Sequence, residues 1–310
     1  MPENAGHTSY DVLGLGCTAV DDLLYIGAFP EPDSKIQVRR SERQCGGLTA
    51  TALVAAARLG ARCAFAGVLG QDADSNFVRG CLEREGIDTG PAVFHPGARP
   101  IHSTILVDER ANTRTILFDL TGSAGADPAA PPADVIRSCR VLFVDHYGVE
   151  GMTRAARLAR AAGVAVVADF ERHEYPGFAA LLALVDHLIV SRDFAHRLLG
   201  ESDPVQAARQ LWAEGRDTVA VTAGEQGCWY RTAQDTDVRH QPAFRVSVVD
   251  TTGCGDVFHG AYAAALAQGM AASDRIRFAS AAAALKAMRP GAQAGIPDGS
   301  AVKAFLSDFV

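Results

Sequence analysis

The sequence predicts an α/β chain, with a mostly parallel sheet, helices on both of its faces, and a small second sheet beside it. The first observation is regular alternation. Between Val141 and Thr222, short apolar runs alternate with helix-like segments across short loops, the pattern of strands joined by crossover helices. The second is an interruption: Leu23–Arg43 and Ile101–Leu120 are more polar, alternate weakly, and do not fit the crossover scheme. The third is Asp250-Thr251-Thr252-Gly253-Cys254-Gly255-Asp256, which stands between an apolar run, Val246–Val249, and a helix-like run, Val257–Gly269.

Taken in order, Tyr10–Leu15 predicts a first buried strand, and Leu23–Ala28 and Lys35–Arg43 two half-polar ones. Leu48–Leu59 predicts an Ala-rich helix, Cys63–Val68 a short apolar strand, and Asp74–Glu85 an amphipathic helix stopped by Gly86. Ile101–Val107 and Arg114–Leu120 predict paired strands with 108–113 as their turn, and the Pro/Ala/Gly-rich stretch 122–133 reads as a linker. Strand Val141–Asp145, helix Gly151–Ala162, strand Val164–Asp169, helix Phe178–Leu184, strand His187–Val190, two helices to Glu214 and strand Thr218–Thr222 complete the alternation.

A length of 310 residues with 48% hydrophobic residues supports one or two domains with an ordinary core. A net charge of −7 argues against a nucleic-acid partner, which requires clustered Lys and Arg. No run of 18 apolar residues occurs and the first ten residues carry no signal-peptide pattern. No membrane partner is therefore expected, and the chain reads as cytoplasmic with residues 1–8 as a flexible N-terminal tail. Seven scattered cysteines without a Cys-x-x-Cys pair predict reduced, mostly buried thiols, not disulfides or a zinc site.

The chemistry concentrates at Gly253–Asp256. Two glycines around one small residue let the backbone turn several N–H groups toward one spot, and the helix that follows adds its positive dipole end. Strand, Gly loop and helix in sequence form a cradle for a phosphate. A carboxylate at its mouth, Asp256, is placed to take a proton from an attacking hydroxyl. The plainer alternative is an Asp that only complements the dipole.

The stretch DTTGCGDVFHGA resembles the C-terminal signature D-T-x-G-A-G-D of the ribokinase-like (PfkB) sugar kinases. Gly46-Gly47 with the helix ending Ala55-Ala56-Ala57-Arg58-Leu59-Gly60-Ala61, and Gly67–Gly70 with Asp72, resemble the family's first signature. Arg289-Pro290-Gly291-Ala292 and Gly295-Ile296-Pro297 match its C-terminal segment. The resemblance runs from about residue 10 to 310, and the ketohexokinase and sulfofructose kinase branches are the most similar.

The resemblance implies a ribokinase-like three-layer αβα core in one kinase domain over 9–310, with a β-sheet lid from about 20–45 and 97–121. It implies a homodimer paired through that lid, and transfer of the γ-phosphoryl group of ATP, with Mg2+, to a sugar hydroxyl of ketose or sulfosugar type. Asp256 is then the base, and the N–H groups of Gly253, Cys254, Gly255 and Asp256 form the anion hole. Asp21, Gly46 and Gly47 hold the sugar, and Arg114 and Lys35 approach it from the lid, Lys35 mattering for an anionic substrate. Thr222, Gly224 and Gly227 lie along ATP, with Ser280 near adenine. Asp250, Thr252 and the Gly291–Gly295 carbonyls resemble a monovalent cation (K+) site.

Each assignment has a simpler counterpart. Thr222–Gly227 can be a hairpin turn, Asp21 a solvated turn residue with Asp22 as the adjacent candidate, and Gly46-Gly47 a helix start. Arg114 can be an exposed strand residue, and the cation site plain loop. The chain also departs from the family pattern. Ser191-Arg192-Asp193-Phe194 stands where N-x-x-E is expected, leaving the magnesium shell undefined with Asp193 as a weak substitute. The Asn expected after Gly46-Gly47 is replaced near Thr51, and His146-Tyr147 stands where a sulfofructose kinase carries an Arg. Cys254 replaces an Ala, and a thiol at a helix N-terminus is expected to have a lowered pKa, so that oxidation would block the hole. A non-catalytic sugar or nucleotide sensor and a nucleoside kinase are the alternative functions. Gly14-Leu15-Gly16-Cys17-Thr18-Ala19 imitates a dinucleotide fingerprint, but the strand-like residues after it do not supply the helix that motif needs. The P-loop pattern G-x-x-x-x-G-K-S/T is absent.

Overall fold

Side chains along the central strands part into two cores. Val12 joins one buried cluster, while Leu13 and Leu15 join another; Val141 and Phe143 oppose Leu142 and Val144 in the same way. A strand buried on both faces must be covered on both, so helices lie above and below. The computed structural model describes residues 9–111 and 113–309; the expected tail, 1–8, lies outside the described residues. The strands are β1 (Tyr10–Leu15), β2 (Ala19–Ile26), β3 (Arg40–Gly46), β4 (Cys63–Phe65), β5 (Val68–Leu69), β6 (Val93–Phe94), β7 (Ile101–Asp108) and β8 (Thr113–Asp119). They continue with β9 (Cys139–Val144), β10 (Ala165–Asp169), β11 (His187–Ser191), β12 (Thr218–Thr222), β13 (Cys228–Thr232) and β14 (Arg239–Gln241). The helices are α1 (Leu48–Arg58), α2 (Ala73–Arg84), α3 (Ala133–Arg137), α4 (Val149–Ala161), α5 (Phe178–Leu182), α6 (Arg192–Leu199), α7 (Pro204–Leu211), α8 (Cys254–Ala267), α9 (Ala272–Ala287) and α10 (Gly299–Ser307).

The main sheet runs β14-β13-β12-β11-β10-β9-β1-β4. It is parallel from β4 to β12 and ends in the antiparallel hairpin β12-β13-β14. Helices α1, α8 and α9 cover one face through residues such as Leu53, Ala261 and Ala282; α4, α6 and α7 cover the other through Met152, Phe194 and Leu211. This is the ribokinase-like three-layer arrangement that the resemblance implies. Because β9 and β4 flank β1 on opposite sides, the chain leaves β1 and β9 in different directions, and a crevice opens beyond their C-terminal ends.

A second sheet, β3-β2-β7-β8, rises from that crevice. Its second strand follows β1 after three residues, so the sheet is anchored at the C-terminal edge of the core. Its edge strand β8 is exposed along its length, with Ile116, Leu117 and Phe118 each about half exposed. Among the described residues no helix is long and apolar enough to cross a membrane.

Several elements differ from expectation. Val246–Val249 is not a strand: Val249 donates to the Ala287 carbonyl at the end of α9, and Val248 and Val249 are largely exposed. The first lid strands start earlier and later than their polarity suggests, leaving 27–39 as a loop. The run Cys63–Val68 breaks at Ala66-Gly67 into β4 and β5. The stretch 122–133 is no free linker. Its Gly125 is buried, donates and accepts within the core edge, and a Cβ there would stand 1.9 Å from the Tyr147 carbonyl oxygen.

Helices α1 and α8 cross in close contact where a Cβ on Gly260 would stand 2.1 Å from the Ala52 carbonyl oxygen. That atom is backbone and cannot swing aside. Gly260→Ala is therefore expected to lower stability by about 1–3 kcal/mol, read as an earlier urea midpoint. An unchanged midpoint would show that the two helices can part without cost.

Candidate active site

Gly253 adopts the left-handed conformation, φ 75°, at the N-cap of α8. An L side chain there is strained, which explains the Gly. Cys254 donates its N–H to the Thr251 carbonyl, and Val257 to that of Gly253. The first-turn N–H groups of Gly255 and Asp256 belong to the set that an α-helix leaves without an intrahelical acceptor. The space beside Gly255 is open, since a Cβ there would meet nothing within 4 Å.

Asp256 is half-buried in the first turn. Burial pushes its carboxyl well above the usual carboxylate range, and the charges of Asp169, Glu171, Asp21 and Asp145 push the same way. Asp169 closes β10 and stands 3.3 Å from Nδ1 of His259, which also contacts the Gly255 carbonyl at 2.8 Å. Sequence reasoning missed Asp145, Asp169 and Glu171. Their signal was position: each lies at the C-terminal end of a parallel strand, where open α/β sheets bind ligands.

Asp145 is fully buried and ties three elements together. Its Oδ2 accepts from the Cys17 N–H at 2.7 Å and from the Thr49 hydroxyl at 2.9 Å, and its Oδ1 accepts from the Tyr147 N–H at 2.8 Å. Burial lifts its carboxyl to about 6 although these donors stabilise the charge.

Asp21 lies on β2 opposite the end of β3. A Cβ on Gly46 would stand 2.2 Å from Asp21 Oδ2, so glycine is required there by the carboxylate's approach. Gly47 has φ 96° and caps α1. Burial raises the Asp21 carboxyl against the pull of Ser103 and His102. Its neighbour Asp22 is occupied, paired with Arg43 at 2.8 Å and with His102 at 2.9 Å. Asp21 is the carboxylate left for a ligand. Lys35 sits exposed in the 27–39 loop, not on a strand, and makes no hydrogen bond or ion pair among the described residues. A cleft of about 570 Å³ opens nearby between His95, Arg99, Leu120, Tyr147 and Tyr175, but neither Asp21 nor Asp256 lines it.

Arg114, on β8, donates to the Thr252 hydroxyl at 2.6 Å and stands 3.9 Å from Asp250. The lid thereby touches the anion-hole loop. Asp250 accepts from the N–H groups of Thr252 and Gly291 at 2.8 and 2.9 Å. Its backbone carbonyl accepts from Lys286 Nζ at 2.8 Å. Burial pulls the Lys286 ammonium down from its usual value, while Cys254 and Asp250 hold it up.

Thr222 ends β12, Gly224–Gln226 makes one 3-10 turn, and Gly227, φ 93°, leads into β13. The segment is a hairpin turn at the C-terminal edge of the sheet. Ser191, at the position of the absent Asn, instead caps α6 by accepting the Phe194 N–H at 3.0 Å. Asp193 is exposed there, and Arg192 reaches across to Gln226 at 3.0 Å. The Ser280 hydroxyl donates to the Ile276 carbonyl within α9.

Cys254 corrects an expectation. Burial pushes its thiol up to about 11, and Asp250 and Asp256 add to the shift, outweighing Lys286. The dipole does not make it a thiolate. The thiol that is pulled down, to about 7, is Cys81, through its neighbour Cys45 and through Arg84, which donates to its Sγ at 3.0 Å.

Comparison with known proteins agrees with this geometry. A family model described as "pfkB family carbohydrate kinase" matches residues 15–299. A ribokinase of Haemophilus influenzae is 28% identical over 308 residues, covering 94% of this chain and 97% of that protein. Fructokinase-1 of Oryza sativa is 29% identical over 281 residues, covering 81% and 85%. The crystal structure of a putative ribokinase from Agrobacterium tumefaciens superposes with a TM-score of 0.87 at 29% identity, covering 97% of this chain and 98% of that one. The chain belongs to the pfkB family of carbohydrate kinases. It is a phosphotransferase with an alcohol group as acceptor, a sugar kinase of the ribokinase-like fold.

The thiol environments make a prediction. Iodoacetamide at neutral pH should label Cys81 well before Cys254, because only the thiolate reacts, and Cys254→Ala should leave peroxide sensitivity unchanged. Peptide mass spectrometry checks both; preferential labelling of Cys254 would contradict the buried-thiol assignment.

Proposed function

We propose that the chain transfers the γ-phosphoryl group of ATP to a hydroxyl of a neutral sugar of ketose type. One observation carries this reading: Asp256 stands in the first turn of a helix capped by the left-handed Gly253, with open space beside Gly255. Asp21 accepts hydrogen bonds from the sugar's hydroxyls, with Gly46 and Gly47 allowing close approach. Asp256 takes the proton from the attacking hydroxyl. Its raised pKa makes it a stronger base than an ordinary carboxylate. The N–H groups of Gly253, Gly255 and Asp256 stabilise charge on the transferred group without reorganising. ATP extends past Thr222, Gly224 and Gly227 toward Ser280.

Among the described residues no three His, Cys, Asp or Glu side chains converge on one point. That fits Mg2+, which keeps its waters and binds through phosphates with one or two carboxylates. Asp169 and Glu171 would face it, and when bound it would neutralise charge on the phosphates.

A neutral sugar is favoured over a sulfosugar by His146. Burial pushes this imidazole down to about 4, and its Nδ1 accepts the Glu171 N–H, so it offers no cation where a sulfonate would need one. The lid supports a homodimer: Ile116, Leu117 and Phe118 leave an apolar edge strand uncovered, and such an edge calls for a partner.

The test of the activity is ADP release with Mg-ATP across ketoses, aldoses, sulfofructose, 2-keto-3-deoxygluconate and nucleosides. A ketose should give the largest kcat/KM, with an acid limb above the usual carboxylate range, rate rising with pH as Asp256 ionises. Asp256→Asn should lose at least about a thousandfold in kcat while ATP binding by calorimetry persists. Retained turnover would refute the base, and a best rate with sulfofructose the neutral-sugar assignment. For the lid, wild type should scatter light as a dimer and Leu117→Asp as a monomer; a monomeric wild type would overturn that interface.

A further inference from the structure

Lys286 lies in the last turn of α9, and none of its side chain is exposed. An amine is rarely placed so deep without a specific partner. Its Nζ donates to the Asp250 carbonyl oxygen at 2.8 Å and stands 3.7 Å from Asp250 Oδ2. These are oxygens of the loop that the resemblance associates with a monovalent cation. Each oxygen of that carboxylate also accepts one backbone N–H, from Thr252 and from Gly291, and Arg114 approaches from the lid at 3.9 Å. The Gly291 carbonyl accepts the Gly295 N–H. The residues present therefore do not fit K+: a second cation on the Asp250 carbonyl would sit against a fixed ammonium, and Arg114 adds a further positive charge beside it.

We propose that the Lys286 ammonium is the chain's own cation beneath the anion-hole loop, and that Asp250 and Thr252 take no K+. Lys286 is a positioning residue. It neutralises Asp250 and pins the carbonyl three residues before Gly253, the residue whose left-handed turn aims the α8 donors. The role in turnover rests on the anion-hole reading given above, whereas the site's preference for a covalent cation does not.

The experiment compares KCl with tetramethylammonium chloride at equal ionic strength, reading melting temperature and, on the best acceptor, turnover. Wild type should show the same melting temperature in both salts and turnover within about twofold. Lys286→Met should lose about tenfold or more in tetramethylammonium, and K+ should restore part of the rate and raise its melting temperature saturably. A merely structural lysine would not be replaced by an ion. Wild type stabilised by K+ specifically, or activated beyond that twofold, overturns the proposal, and so does a folded Lys286→Met with no K+-specific response. Should Lys286→Met fail to fold, the wild-type comparison still decides. The melting readout needs no acceptor, so absence of kinase activity would leave it intact and would count against the kinase reading alone.

Discussion

The contact between Gly260 and the Ala52 carbonyl fixes the distance between α1 and α8, and both helices begin at the site. The N-terminus of α1 carries Gly46 and Gly47 just before it, and the N-terminus of α8 carries Gly253 to Asp256. Two helices packed backbone to side-chain distance cannot slide independently, because interiors are packed as densely as organic crystals. The Ala-rich faces of both helices serve the same end, since small side chains keep the layer thin. The glycine pair before α1 and the glycine turn before α8 are thereby held at one spacing by a contact remote from both.

Asp145 does the equivalent work on the other side of the crevice. One buried carboxylate joins the loop after β1, the first turn of α1 and the residue after β9 through three hydrogen bonds. Its raised pKa shows that burial outweighs those bonds. Ionising it costs stability as pH rises from the unfolded carboxylate value toward about 6, a cost on the order of 3 kcal/mol. The fold tolerates that cost at the switch point, where Asp21, Asp169 and Asp256 add further negative charge. Such crowding is unfavourable in the free protein and is relieved when cations arrive with a nucleotide, which places the strain where binding can release it.

Most of the core was legible because its strands are buried on both faces and its helices on one, giving periods that the residues express directly. Gly253-Cys254-Gly255-Asp256 was legible for a local reason, since only Gly tolerates the turn before α8. What the sequence concealed is what depends on distant partners. Val246–Val249 has strand composition, but its backbone bonds go to the end of α9. Gly125 and its neighbours have linker composition, yet pack against the Tyr147 carbonyl. Cys254 reads as an activated thiol until Asp250, Asp256 and burial are weighed against the dipole. Asp145 and Asp169 look like ordinary strand ends, and Lys286 like a cation completing a helix dipole.

Lys286 and Arg114 hold the anion-hole loop from opposite sides, and the difference between them matters. Lys286 comes from the core and is wholly buried, so its bond to Asp250 persists whatever the lid does. Arg114 comes from an exposed edge strand, and its bond to Thr252 exists only while the lid lies against the core. An exposed charge-assisted contact of this kind is weak, so the lid can leave. The loop therefore keeps its shape through one permanent cation and registers lid position through one removable one. Asp21 and Arg114 lie on β2 and β8, strands of the same small sheet that are joined only through β7.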